Sequence, residues 1–163
     1  MECKCEICRS ACRHRPGWFR PGEPERAAEY LGLSLQDFFD KFLAVDYWSP
    51  EEALEIFTFL LAPARKGMEP GEMYPFEPRG TCVFFDENEL CAIHPVKPFE
   101  CAFYDHTNIE LDECFDERRK TVEEWKKHQE QVEELLGHKP VVPMPSNADF
   151  FSMLFDGITK GML

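Results

Sequence analysis

No stretch of this chain is long and apolar enough to cross a bilayer. The longest apolar run, Ile56 to Ala64, is already interrupted by Thr58 and Pro63. No charged-then-apolar leader precedes Cys3, so a cleavable secretory signal is not expected and the cytoplasm is the expected compartment. Positive charge is scarce: 18 Lys and Arg stand against 31 Asp and Glu, a net charge of −13. A field of that sign repels phosphate backbones and anionic lipid, so nucleic acid and membrane surfaces are disfavoured as general partners. A nucleophile–base pair, a phosphate loop, a dinucleotide fingerprint and an H-E-x-x-H zinc motif are all missing. Their absence lowers an enzymatic reading without closing it, because metal chemistry needs none of them. Apolar residues are not lacking. At 44% of 163 residues, with 30% charged, they suffice for one domain with a real core.

The 8 cysteines are the unusual feature. Without export a disulfide framework is not expected, since cytosolic thiols are kept reduced, and clustered cysteines then point to metal or redox chemistry. The first cluster is Cys3-Lys4-Cys5-Glu6-Ile7-Cys8-Arg9-Ser10-Ala11-Cys12. A Cys-x2-Cys spacing lets a tight turn aim Cys5 and Cys8 at one point, and Cys12, one helical turn after Cys8, can face the same centre. The second cluster is Cys82, Cys91 and Cys101. Cysteines acting as core filler would not concentrate in a basic, Pro-containing segment with little core of its own. Arg9, Arg13 and Arg15 beside the first cluster read either as solvated surface or as charges that favour thiolates.

The expected architecture is α+β and mostly helical, with one short β-hairpin and the cysteine clusters joined by a metal centre. It divides as a Cys-rich segment (1–20), a helical block (23–62), a hairpin with the second cluster (81–104), an acidic helix (111–137) and a C-terminal helix (147–158). In the helical block one helix ends at Gly32, and Ser34 with Asp37 opens a second with Leu35, Phe38, Phe39 and Phe42 on its apolar face. Ser49-Pro50-Glu51-Glu52 reads as the start of a third helix closed by Pro63. Thr81 to Phe85 and Leu90 to Ile93 read as hairpin strands that put Cys82 and Cys91 on facing strands. Asp112 to Leu136 reads as one charged helix stopped by Gly137.

Cys5-x2-Cys8-x3-Cys12 resembles the opening of the zinc- or iron-chelating proteins named for a CxxCxxCC motif. Cys82 followed by Cys91-Ala92-Ile93-His94-Pro95-Val96-Lys97-Pro98-Phe99-Glu100-Cys101 resembles that family's second signature, a cysteine and then C-x-[Ile/Val]-[Tyr/His]-x-x-[Arg/Lys]-Pro-x-x-Cys. The resemblance runs from about Cys5 to Tyr104 and includes Leu31-Gly32-Leu33-Ser34 and Phe38-Phe39. The chain departs from the pattern at Ala11-Cys12, where the family has adjacent cysteines, at Lys97 in place of Arg, and at His94 in place of Tyr. A similar cysteine arrangement occurs in flagellin lysine methylases, where it accompanies an iron–sulfur centre. The resemblance implies metal binding more firmly than it implies any reaction.

The expected ligands are therefore Cys5, Cys8, Cys12, Cys82, Cys91 and Cys101, with Cys3, Cys114 and His94 as secondary candidates. Four thiolates suit zinc or an iron–sulfur cluster such as [4Fe–4S], and an all-cysteine set leans to the cluster. Three function classes follow: a metal-binding protein, a metal-dependent redox or group-transfer enzyme, and a zinc-stabilised module that docks a protein partner through its acidic helix.

Overall fold

The computed structural model describes residues 6–14, 16–50, 56–75, 78, 80–88, 90–103 and 111–143, with backbone alone for 6–8 and 111–115. The Ser34 hydroxyl accepts from the Asp37 amide at 3.0 Å and donates to its carboxylate, which starts a helix at Leu35. That helix is α3 (Leu35–Phe42), and the other α-helices among the described residues are α1 (Glu6–His14), α2 (Glu23–Tyr30), α4 (Phe99–Phe103), α5 (Leu111–Trp125) and α6 (Gln129–Leu136). Phe38 and Phe39 are fully buried, and Phe38 stacks on Phe84 at 5.8 Å between ring centres. The architecture is a small α+β domain with short antiparallel hairpins among several helices.

The helical block expected over 23–62 is helical only in its first half. Its second half is a β-hairpin, β1 (Leu43–Trp48) antiparallel to β2 (Thr58–Pro63), with Leu43 opposite Pro63 and Trp48 opposite Thr58. Leu60, Leu61 and Ala62 are all fully buried. A helix would turn some of them to solvent. A strand covered on both faces accommodates a continuous apolar run. α5 and α6 pack on β2. The sheet's edges are also occupied. Phe19 donates from its amide to the Leu61 carbonyl (3.0 Å), and Val45 exchanges backbone bonds with Glu72 and Tyr74 (2.8 and 2.7 Å). The helix start expected at Ser49-Pro50-Glu51-Glu52 and the C-terminal helix expected at 147–158 lie outside the described residues.

The second hairpin is shorter than its sequence suggests, and it shifts a cysteine. β3 (Phe85–Asp86) pairs with β4 (Leu90–Cys91), so Cys91 faces Phe85 and not Cys82. Cys82 pairs instead with Arg65 just beyond β2, through Lys66 N to Thr81 O (2.7 Å) and Val83 N to Ala64 O (3.0 Å). The fold thus has two hairpins where the sequence suggested one. The single acidic helix is likewise two, broken between Trp125 and Gln129. Trp125 is fully buried and its indole donates to the Phe19 carbonyl at 2.6 Å, while Gln129 bonds both backbone groups of Phe59. One straight helix could not meet both demands on β2's flank. Gly137 closes α6 in the left-handed conformation, as expected.

Candidate metal centre

The four cysteines with described side chains come from four separate places. Cys12 is on α1, Cys82 sits beside Arg65, Cys91 ends β4 and Cys101 is on α4. The Cys82 amide donates to the Cys12 carbonyl at 2.9 Å, joining the first cluster to the second through the main chain. All four are free thiols. They are close enough for charge on one to be felt by others: Cys12 and Cys91 each act on Cys82, and Cys12 and Cys82 act on Cys101. Burial is the main influence on every one. It holds Cys12 and Cys91 above the ordinary thiol value and Cys101 well above it, and it pushes Cys82 up to about 12.

Backbone amides oppose that shift. Gly17 N–H donates to the Cys101 sulfur at 3.2 Å, and the amides of Phe84 and Ile93 favour the thiolates of Cys82 and Cys91. Lys97 favours the thiolates of Cys12 and Cys91. Soft sulfur donors on main-chain N–H groups, drawn from two ends of the sequence, suit a thiophilic metal chemically. Among the described residues, no group of three or more His, Cys, Asp or Glu side chains is placed to hold a metal ion. Cys3 and Cys5 lie outside the described residues. Cys8 and Cys114 fall on α1 and α5, with side chains outside them.

The remaining candidates are placed elsewhere. His14 bonds the Ser10 carbonyl one turn back on α1, at 2.9 Å. His94 opens a 3₁₀ turn (His94–Val96), with its Nε2 3.5 Å from the Lys97 ammonium. Arg13 forms a two-point ion pair with Glu87, both contacts at 2.7 Å, so its charge is matched by a carboxylate and ties α1 to the β3–β4 turn.

The surroundings of Cys101 are built by residues the sequence did not single out. Gly17, Trp18 and Glu100 form a wall beside Cys101. The Trp18 amide donates to Glu100 Oε2 at 2.7 Å, and its indole donates to Asp46 Oδ2 at 2.6 Å. Arg118 of α5 ion-pairs with Glu100 Oε1 at 2.8 Å and lies over the Trp18 ring, 4.2 Å from its centre. The sequence signal was an aromatic pair, Trp18-Phe19, directly after Gly17 in an otherwise polar segment. Both aromatics are buried, which anchors the chain just after α1.

Gly17 is required by space. A Cβ there would stand 2.7 Å from Glu100 Cβ, 2.8 Å from Cys101 N and 3.1 Å from the Cys101 sulfur. Gly17→Ala is expected to cost about 1–3 kcal/mol by overpacking and to displace Cys101. Urea denaturation together with a metal assay checks this, and a variant with wild-type values in both would show that the wall yields.

The surface of α5 is laced with ion pairs. Asp116–Arg119, Glu117–Lys120 and Glu123–Lys126 are each three residues apart, and Arg20 reaches Glu117 at 2.6 Å. No described helix is long and apolar enough to cross a membrane. Compared with protein families, curated proteins and solved structures, the chain matches none.

Proposed function

We propose that this chain is a metal-binding protein whose centre, an iron–sulfur cluster or zinc, is held by thiolates of Cys5, Cys8, Cys12, Cys82, Cys91 and Cys101. The observation that carries the reading is the main-chain bond from Cys82 to Cys12, with Cys91 in the field of Cys12 and Cys82, Cys101 in the field of the same two, and main-chain N–H groups of Gly17, Phe84 and Ile93 supporting three of the sulfurs. Burying four thiols together without a cation is unfavourable for their ionised form, and a bound thiophilic metal reverses that balance. The resemblance to the CxxCxxCC proteins supports the same ligand set. When bound, a cluster supplies one-electron chemistry, and zinc supplies a structural cross-link.

An anaerobic preparation assayed for iron, zinc and acid-labile sulfide tests the proposal. Brown protein with iron and sulfide in about equal amounts identifies a cluster, and colourless protein with stoichiometric zinc identifies the structural alternative. Protein free of both metals would overturn the reading. Because burial keeps these thiols protonated at neutral pH, metal uptake is expected to release about one proton per ligating thiol. Apparent affinity should therefore climb as pH rises toward the ordinary thiol value, which a weakly buffered zinc titration of the metal-free chain measures.

The acidic surface of α5 is the ground for a second role, docking of a basic protein partner. Such a partner would exchange its own cations for Arg119, Lys120 and Lys126, a trade that costs little because exposed pairs are each worth about 0–1 kcal/mol.

A further inference from the structure

A cavity of about 260 Å³ opens between α2 and the turn that carries His94, and Arg26, His94, Pro95, Lys97, Phe99 and Glu23 line it. Its charge runs against that of the chain. In a protein of net charge −13, Arg13, Arg20, Arg118 and Arg119 are each paired with a carboxylate. Arg26 has no such partner among the described residues, although its helix carries Glu23, Glu25 and Glu29. The Glu23 carboxylate is engaged elsewhere, accepting from the amides of Arg20 (2.8 Å) and Phe99 (2.9 Å). Glu25 accepts from Gln131 at 2.6 Å. Lys97, partly buried, has its ammonium 3.5 Å from the His94 ring nitrogen.

The cavity's other surfaces are apolar. Pro95 and Phe99 supply them, and Phe99 is held from behind by the Arg20 guanidinium, 3.4 Å from its ring centre. A planar guanidinium and an ammonium converging on a partly enclosed, half-apolar space form a receptor for a carboxylate or phosphate group. Arg supplies two parallel donors to the oxygens and Lys a point charge. The volume lies just below the range of drug-sized ligand pockets, which suits a small molecule.

We propose that this cavity binds a small oxyanion, a carboxylate or phosphate group carried by a small molecule, through Arg26 and Lys97. The site is distinct from the cysteines, and the proposal does not depend on which metal they hold. Lys97 belongs to both regions, because its ammonium also acts on Cys12 and Cys91. An anion on Lys97 therefore sits beside the thiol centre.

The test is titration of the protein as purified, at about 0.15 M salt, with inorganic phosphate and separately with malonate, followed by calorimetry. Saturable binding of at least one probe is expected, weakened about tenfold or more in Arg26→Ala and abolished in Arg26→Glu. Phosphate alone saturating would identify a phosphate site, and malonate alone a carboxylate site. Arg26 is exposed, so its variants should keep the wild-type melting temperature and metal content, which separates this result from any failure of the metal reading. No saturation by either probe, or equal affinity in wild type and Arg26→Ala, would overturn the proposal.

Discussion

Cys91→Ser, prepared anaerobically, is expected to lose its metal and to unfold more easily by over about 4 kcal/mol, a range reached by loss of a metal or a core anchor. Cys91 follows Leu90, whose φ of 67° places a buried, bulky residue in the left-handed region. Cys91 itself ends β4 opposite Phe85, bonded by the Ile93 amide and within the field of Lys97. Serine keeps the size but not the soft thiolate, so the backbone should survive while ligation fails. Metal-free wild type and metal-free variant should then differ by less than about 1 kcal/mol, as an isosteric change at a partly exposed site does. Cys114→Ser, on α5, should retain both metal and stability. Full metal stoichiometry in Cys91→Ser would remove that residue from the ligand set and with it the idea of one centre shared by the two clusters.

Trp18→Ala is expected to cost about 3–5 kcal/mol, the range for deleting a large buried aromatic. The loss should exceed that of a simple cavity, because Trp18 also answers a buried acid. Without its indole, Asp46 Oδ2 loses a 2.6 Å donor, and burial already holds that carboxyl above its ordinary value. Trp18→Phe separates the two contributions. It keeps an aromatic ring but loses the N–H and part of the indole's volume, for about 1–3 kcal/mol. Because the Trp18 amide bonds Glu100 and the preceding Gly17 amide bonds the Cys101 sulfur, loosening this anchor should also reduce metal content. Denaturation curves and metal assays on both variants check this. Trp18→Ala with wild-type metal content would mean that the N-terminal segment is held to the second cluster by its cysteines alone.

The parts of the fold that sequence revealed are those fixed by a local interaction. Ser34 with Asp37, the stop at Gly137 and the apolar face of Phe38 and Phe39 each depend on residues within about one helical turn. Phe59 to Ala62 misled because a short unbroken apolar run fits a buried helix or a strand covered on both faces equally well, and only the packing of α5 and α6 decides between them. Cys82 misled for a related reason. Its strand-like neighbours pair with Ala64 to Lys66, on the far side of a loop, instead of with the next apolar run. Arg13 read either as solvated surface or as a charge for the thiolates, and Glu87 is brought within 2.7 Å of it across 74 residues.

By itself the sequence determined the chemistry available: eight thiols in two clusters, an acidic surface, and too little continuous apolar chain to cross a membrane. It also determined the helix caps, since these need only neighbours in the chain. The tertiary structure alone decided which thiols share a field, what shields them and which cations line the cavity. Cys12 reaches Cys82 through a main-chain bond, Gly17 is small because Glu100 and Cys101 press against it, and Arg26 faces a cavity built by a turn about seventy residues away. The physical reason is common to all three. Burial and Coulomb interaction depend on distance in space, and residues far apart in the chain become neighbours only once the β1–β2 hairpin and the helices on its flank have packed.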